Sequence, residues 1–426
     1  MAKLSAFAQT LRSRDFLKLW IGQIVSGLGD RLEQMGIVAL FTAAGYTSVT
    51  ATMALIAVLV ILPHMFLSLP AGWVVDRYDR RHVMIATDVL RALVVVALPW
   101  TFPRYGETAV YVSVALLGVF TTFFNPAKSA LIPRLVPHEA LPAANGLSST
   151  TNIVATMLGA FIGGHLARAL GVDRGASAVP FFLIDMASYL VSAGFLWRIA
   201  TSGRPQARTQ PASAPTPTAR LWPFLRAEPT ARGLLFVAAV FWAVAAVAYS
   251  AINSFAYTRF QGGVAAVGNM QAALGLGMLL GAVIAGTRPV VLTRYRRDMA
   301  LSLVLAAAVL IAFAASPTMT FALIMVALLG ATAAAVLVTI DTGLQHLSAD
   351  ALRGRVFGFK EQLTSATFIL PSLWFAFVPG VDPYIPWALG AAAARLIVVG
   401  LAFAARDLSA RWPATEGTDW GRQWLN

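Results

Sequence analysis

Apolar segments of roughly 20 residues recur about twelve times along the chain, and each pair is separated by a short polar stretch. A helix of that length crosses the roughly 30 Å of hydrocarbon in a bilayer. The residue-by-residue alternation of a β-barrel is absent, and only helices satisfy their own backbone hydrogen bonds in lipid. The pattern therefore predicts an all-α membrane protein with twelve transmembrane helices.

A stretch rich in proline, alanine, threonine and arginine divides the apolar segments into two equal groups. We therefore expect an N-terminal six-helix bundle at residues 1–200, a linker at 201–232, a C-terminal six-helix bundle at 233–406 and a tail at 407–426. Lysine and arginine are concentrated in the N-terminus, the linker, the C-terminus and the loops on that side. The positive-inside rule then places both termini in the cytoplasm.

Composition agrees with this topology. The hydrophobic fraction of 58%, the charged fraction of 12% and the mean hydropathy of +0.71 exclude a soluble domain. A net charge of +13 would suggest nucleic acid in a soluble protein, but here it follows from membrane topology, so no nucleic-acid partner is expected. There is no cysteine, hence no thiol metal site. The excess of arginine over lysine and the abundant alanine suggest a GC-rich bacterium, with the protein in its cytoplasmic (inner) membrane.

Five charges within six residues separate two of the apolar segments, in the run Gly72-Trp-Val-Val-Asp76-Arg77-Tyr-Asp79-Arg80-Arg81. This run resembles motif A of the major facilitator superfamily, G-x-x-x-D-R/K-x-G-R/K-R/K, with Asp79 at the position of the second glycine. The resemblance implies that Asp76 and Arg80, with Arg77 and Arg81, latch the two halves together on the cytoplasmic side. The alternative is a basic loop that only fixes topology.

Two further runs resemble this superfamily. Asn125-Pro126-Ala-Lys128-Ser-Ala-Leu-Ile-Pro133 is similar to the branch that contains macrolide exporters, siderophore exporters and lysophospholipid transporters. Gly159, Gly163 and Gly164 resemble the end of the antiporter motif C, although Ala160 occupies its proline position. The resemblance implies close helix contact, a local bend and export by antiport.

The first apolar segment contains Asp30, Arg31 and Glu33. Asp30 lies about 21 Å along the helix from Phe16, deep in the bilayer, where ionisable groups must face the bundle interior or a wet cavity. One interpretation is structural, with Arg31 neutralising a nearby acid. The other is functional, with Asp30 first and Glu33 second as proton carriers.

Other polar residues in apolar segments are weaker candidates. Asp185 is as compatible with a shallow solvated position as with a site. Asp88 and Arg91, at i and i+3, are expected to form an ion-pair network with Lys360 and Glu361. The cavity candidates are Arg31, Tyr249, Asn253, Tyr257, Asp341 and Arg395.

The sequence contains no nucleotide-binding glycine loop, zinc-type histidine pair or G-x-S-x-G elbow, so we expect no enzyme activity, cofactor or metal. Intramembrane acids and bases are nearly balanced, which favours amphiphilic or cationic cargo over an anion site built from several arginines. The predicted function is a monomeric, proton-coupled multidrug exporter (antiporter) that works by alternating access. Its partners would be a small-molecule or lipid substrate, protons and membrane lipids. The alternatives are a lysophospholipid flippase and a non-transporting receptor or scaffold.

Overall fold

The computed structural model describes residues 9–45, 49–172, 175–204, 221–287, 295–348, 350–378 and 380–405. No β-strand occurs in these ranges. Their long helices are α1 Arg14–Ala43, α2 Val49–Arg77, α3 Arg80–Tyr105, α4 Glu107–Leu135, α5 Leu141–Ala169, α6 Val179–Trp197, α7 Pro229–Thr258, α8 Gly263–Thr287, α9 Tyr295–Ala314, α10 Met319–Leu347, α11 Asp350–Phe377 and α12 Ile385–Ala405.

Nine of these described helices are long and apolar enough to cross a membrane, and α1, α5 and α11 are the more polar remainder. Helix α11 begins at Asp350, before its apolar segment, which begins at Val356. Hydropathy marks the part of a helix that suits lipid, and α11 continues for more than a turn into polar sequence. Half of the predicted linker, residues 205–220, and the predicted tail at 407–426 lie outside the described residues. The end of the predicted linker is helical, because a short helix covers Leu221–Ala227 and α7 begins at Pro229.

Glycines on α1 set its contact with α6. Gly22, Gly29 and Gly36 are spaced seven residues apart, and a Cβ atom at each would meet a side chain of α6, respectively Ser192, Ser188 and Phe181. Residues seven apart lie on one face of a helix, so these glycines form a continuous notch. The notch allows α6 to approach the α1 backbone closely along its length.

A second close contact joins α8 to α10. Gly277 and Gly281 face the backbone of Ala327 and Ala331, and Gly330 faces the backbone of Leu274. Glycines at this Gly-x-x-x-Gly spacing lie on one face of α8 and form a packing groove. Small residues on both helices let the two backbones touch.

The first six and the last six long helices contact each other differently at the two ends of the bundle. One end, here called the basic end, brings together the start of α1 and the segments after α4 and α6, as in the 2.6 Å hydrogen bond that Lys18 Nζ donates to the Arg198 carbonyl. The opposite end is called the far end. There Thr42 contacts Tyr257 at 3.0 Å, and Asp382 accepts hydrogen bonds from Thr50 and Ser254 at 2.6 and 2.5 Å.

The basic end is more open. A Cβ atom at Gly72 of α2, or at Gly354 or Gly358 of α11, would meet no atom within 4 Å. Between described residues, the hydrogen bonds that join the first six helices to the last six lie at the far end or near mid-height. The halves are therefore tied together at the far end.

We expect Gly277→Ala to lower the melting temperature in detergent, because its methyl group would overlap the Ala327 carbonyl. Overpacking of this kind costs about 1–3 kcal/mol. The matched control is Gly390→Ala on α12, whose Cβ would meet nothing within 4 Å. Equal melting temperatures for the two variants would contradict the tight α8–α10 contact.

Candidate functional site

A polar cluster lies inside the first six helices, between α1, α3, α4 and α6. The Tyr189 hydroxyl of α6 donates a 2.6 Å hydrogen bond to Asp30 of α1. Asp88 and Arg91 of α3 form an ion pair in which both side chains are buried. The Arg91 guanidinium also lies 4.5 Å from the ring centres of Phe124 and Tyr189. Arg91 is therefore surrounded by one carboxylate and two aromatic faces, while its Nε atom has no hydrogen-bond partner among the described residues.

Asp185 belongs to this cluster and is fully buried, so a shallow solvated position is wrong. Its Oδ1 atom accepts a 3.0 Å hydrogen bond from Ser188, whereas Oδ2 has no hydrogen-bond partner among the described residues. Sequence reasoning treated Asp185 as an isolated acid. The missed signal is a polar stripe at helical spacing, since Asp185, Ser188, Tyr189 and Ser192 recur on one face of α6.

The cluster contains more acids than bases. Asp30 interacts electrostatically with Glu33, Asp88 and Asp185, and also with the cations Arg91 and Lys128. Glu33 is only 7% exposed, and its Oε1 atom has no hydrogen-bond partner in the described part of the chain. An uncompensated carboxylate in a low-dielectric interior is costly unless the carboxyl is protonated. The cluster can therefore bind protons, because protonation of a carboxyl group removes part of the excess negative charge. No group of acids and histidines in the described ranges is arranged to hold a metal ion.

Arg31 lies on a different face of α1. Its Nη1 atom donates a 2.9 Å hydrogen bond to Gln34 Oε1, and Gln34 Nε2 donates a 3.0 Å hydrogen bond to the Tyr249 hydroxyl of α7. No carboxylate of a described residue lies within ion-pair distance of Arg31. The interpretation in which Arg31 neutralises a nearby acid is therefore wrong. Helix geometry explains this, because consecutive residues point about 100° apart.

The cavity candidates Tyr249, Asn253 and Tyr257 form a polar stripe along α7, four residues apart, and this stripe contacts its neighbours at two heights. Asn253 Nδ2 donates a 2.8 Å hydrogen bond to the Tyr249 carbonyl, and Gln271 of α8 donates a 3.3 Å hydrogen bond to Asn253 Oδ1. Tyr257 lies nearer the far end, against Thr42. Tyr249 is therefore the member of the stripe that connects to Arg31 through Gln34.

The charged residues of the last six helices form no network with Asp88 and Arg91. Lys360 Nζ donates a 2.6 Å hydrogen bond to Asp341, and this pair joins α11 to α10. Glu361 is exposed and has no side-chain partner in the described part of the chain. The predicted four-residue network is therefore wrong, because its members lie in different halves.

Arg395 also differs from its prediction. It is exposed on α12, which packs against α7 and α9, and it makes no hydrogen bond with a described residue. The other predicted cavity residues on α1 and α7 are joined by hydrogen bonds, and Arg395 does not take part in them. Depth along a helix can be estimated from sequence, whereas the face that a residue occupies depends on which helices pack around it.

The charged run between α2 and α3 makes its contacts within the first half. Asp79 has extended backbone geometry and caps α3 by accepting a 2.9 Å hydrogen bond from the Arg81 backbone N–H. Arg80 and Arg81 donate to carbonyls of Gly203 and Ile199. In addition, Arg77 lies 5.2 Å from the Trp73 ring centre, and Asp76 is exposed with no hydrogen bond or ion pair to a described residue.

The three glycines of α5 are contact positions. A Cβ atom at Gly159 would meet the Arg31 side chain, one at Gly163 would meet Met35, and one at Gly164 would meet the α8 backbone near Gly268. The helix is uninterrupted from Leu141 to Ala169. These glycines therefore let α5 contact α1 and α8 at once.

Three curated relatives each align with part of the chain. The identity is 26% over 181 residues to the uncharacterized MFS-type transporter YkuC of Bacillus subtilis, covering 42% of this chain and 40% of YkuC. The identity is 31% over 140 residues to macrolide efflux protein A of Streptococcus pyogenes, covering 32% of this chain and 33% of that protein. It is 24% over 213 residues to the lysophospholipid transporter LplT of Yersinia enterocolitica, covering 49% and 50%. The chain thus spans half or less of the length of these relatives.

Solved structures show the same fold. A bacterial homologue of the human lysosomal transporter Spinster, in an inward-facing and unoccupied conformation, has a TM-score of 0.68 at 16% identity, covering 92% of this chain and 95% of that chain. An inward-facing bacterial homologue of the iron transporter ferroportin has a TM-score of 0.68 at 14% identity, covering 92% and 99%.

A family model covers almost the whole sequence. Residues 4–420 match the model described as Transmembrane secretion effector. That match, the charged run after α2 and the helical architecture agree with one another. The chain therefore belongs to the transmembrane secretion effector family of the major facilitator superfamily of transporters.

Proposed function

We propose that the chain is a proton-coupled exporter of amphiphilic small molecules that works by alternating access in the bacterial cytoplasmic membrane. All twelve long helices would cross the bilayer as two six-helix bundles, with α1, α5 and α11 shielded by their neighbours. The positive-inside rule assigns the basic end, both termini and the linker to the cytoplasm. The protein would act as a monomer.

The observation that carries the proposal is the excess of buried acid in the first bundle. The carboxyl groups of Asp30, Glu33, Asp88 and Asp185 lie near only two cations, Arg91 and Lys128. Asp30, on α1, is partly buried. Loss of a proton from this cluster adds an uncompensated negative charge to a low-dielectric interior. Proton uptake and release would therefore change the relative free energies of the two open states, which is what coupling requires.

The geometry supports a conformation open to the cytoplasm. The halves are hydrogen-bonded at the far end, and the two solved structures compared above are inward-facing. Asp76 forms no hydrogen bond or ion pair with a described residue here, and a Cβ atom at Gly72 of α2 or at Gly354 or Gly358 of α11 would meet nothing within 4 Å. The motif A latch, formed by Asp76 with Arg80 against α11, would close only when the cytoplasmic side closes.

Two observations bear on the cargo. One relative is a macrolide efflux protein, which supports export of small amphiphilic molecules. A lysophospholipid transporter is also similar, and Arg31 offers a cation that no described acid neutralises. A lipid flippase is therefore the second candidate. It would transfer lysophospholipid between vesicle leaflets in a headgroup-dependent manner without a pH gradient.

Asp30→Asn should abolish transport driven by a pH gradient in proteoliposomes, because the amide keeps a hydrogen bond to Tyr189 but cannot exchange a proton. Dye and macrolide efflux is the measurement. The matched control is Asp298→Asn, which changes an exposed aspartate in the first turn of α9. Unchanged pH-driven transport by a folded Asp30→Asn variant would remove Asp30 from the mechanism.

The latch can be tested by spin-label distances, since the chain has no native cysteine. Labels on Tyr78→Cys and Gly354→Cys would report the separation of the two bundles at the basic end. Wild type should sample a short and a long distance, and Asp76→Asn should deplete the short one by removing a latch partner. Asp298→Asn should leave the distribution unchanged. A short-distance population that persists in Asp76→Asn would contradict the latch.

A further inference from the structure

Arg31 has spare hydrogen-bonding capacity at a depth where charge is costly. A guanidinium carries five N–H donors, and among the described residues Arg31 uses one of them, in the bond from Nη1 to Gln34. The nearby acids do not occupy the others, since Asp30 bonds to Tyr189 and Glu33 is buried on the α6-facing stripe. A permanent cation without an acidic partner inside a membrane favours a ligand that brings the negative charge.

The Arg31 side chain is held in place by a glycine. A Cβ atom built on Gly159 would lie 2.6 Å from Arg31 Cβ and 3.2 Å from Cγ, so any other residue at position 159 would displace the Arg31 side chain. Gln34 then fixes the guanidinium from one side and connects it to the Tyr249 hydroxyl. Arg31 is therefore oriented by α1, α5 and α7 together, as a binding residue must be.

An apolar surface adjoins this polar chain. Trp242 and Tyr249 are seven residues apart on α7 and share one face. Their rings lie 6.1 and 6.5 Å from the ring of Phe368 on α11. These three rings form an aromatic wall in which Phe368 is buried and Trp242 and Tyr249 are partly exposed, and the wall ends at the Tyr249 hydroxyl, where the hydrogen-bonded chain to Arg31 begins. A polar anchor beside an apolar wall matches an amphiphile.

We propose that Arg31 binds the anionic head group, a phosphate or carboxylate, of an amphiphilic cargo whose apolar body lies against Trp242, Tyr249 and Phe368. An arginine can hold such an anion through two parallel N–H···O bonds. Gly159 acts as a positioning residue. This inference rests on the proposed transport function and narrows its cargo, from the amphiphilic or cationic molecules expected from sequence to amphiphiles with an anionic head group.

Equilibrium binding to the purified full chain in neutral detergent tests this assignment. The probes are decyl phosphate and decyltrimethylammonium, which have the same tail and opposite head charges, and inorganic phosphate, which has no tail. Wild type should bind decyl phosphate saturably and more tightly than the other two. Tighter binding of decyltrimethylammonium would overturn the assignment, and so would binding of inorganic phosphate as tightly as decyl phosphate, because the site would then take a free anion.

Arg31→Gln should weaken decyl phosphate binding by about tenfold or more, the loss expected when one charged hydrogen-bond partner is removed. Its matched control is Arg395→Gln, since Arg395 is exposed on α12 without a described partner. If Arg31→Gln does not fold, Arg31→Lys retains the charge but loses the bidentate geometry and should bind more weakly than wild type. Wild-type affinity in either folded Arg31 variant would overturn the proposal.

Gly159→Val tests the positioning of Arg31. It should weaken decyl phosphate binding and leave decyltrimethylammonium binding nearly unchanged, whereas Gly390→Val on the open face of α12 should change neither. Equal loss of both probes would indicate a merely structural role for Gly159.

Failure of this inference differs from failure of the proposed function. Arg31-dependent binding without any gradient-driven transport would reject proton coupling and keep the anion site. Gradient-driven transport, together with decyl phosphate binding that does not depend on Arg31, would keep proton coupling and reject the anion site.

Discussion

The first helix carries three charged residues within four positions at the middle of its length, and this constraint shapes the packing around it. Lipid cannot solvate these groups, so neighbouring helices must. Asp30 and Glu33 are directed to a cluster with α3 and α6, where a tyrosine and two cations compensate part of the negative charge. Arg31 is directed to the other side and meets an amide instead of an acid. Adjacent residues thus belong to different environments.

The two halves of the molecule divide their chemistry. The first six helices contain the buried acids and their cations, whereas the last six contribute the aromatic rings of α7 and α11 and a single described ion pair, Lys360 with Asp341. Proton binding and contact with an apolar cargo would then occur on opposite bundles. The Arg31–Gln34–Tyr249 chain crosses between them at mid-height. It is the place where one event can influence the other.

Much of the fold follows from hydropathy and glycine spacing. The helix positions and the α8 packing groove could be predicted because both depend on local sequence. Side-chain direction could not. Asp185 was undervalued because an acid in an apolar segment gives no sign of the helix that will cover it, and Arg395 was overvalued for the same reason. The pairing of Lys360 with Asp341 depends on the contact of α10 with α11, which the sequence does not specify.

The glycine notch on α1 has a mechanical consequence. Because α6 lies against Gly22, Gly29 and Gly36, the two helices have little freedom to slide or twist relative to each other. A displacement of α6 would carry α1 with it as a rigid rod. The contacts of Gln34 and Thr42 with α7 would then be broken or formed in concert, so the far side of the pathway would open as a single event rather than residue by residue.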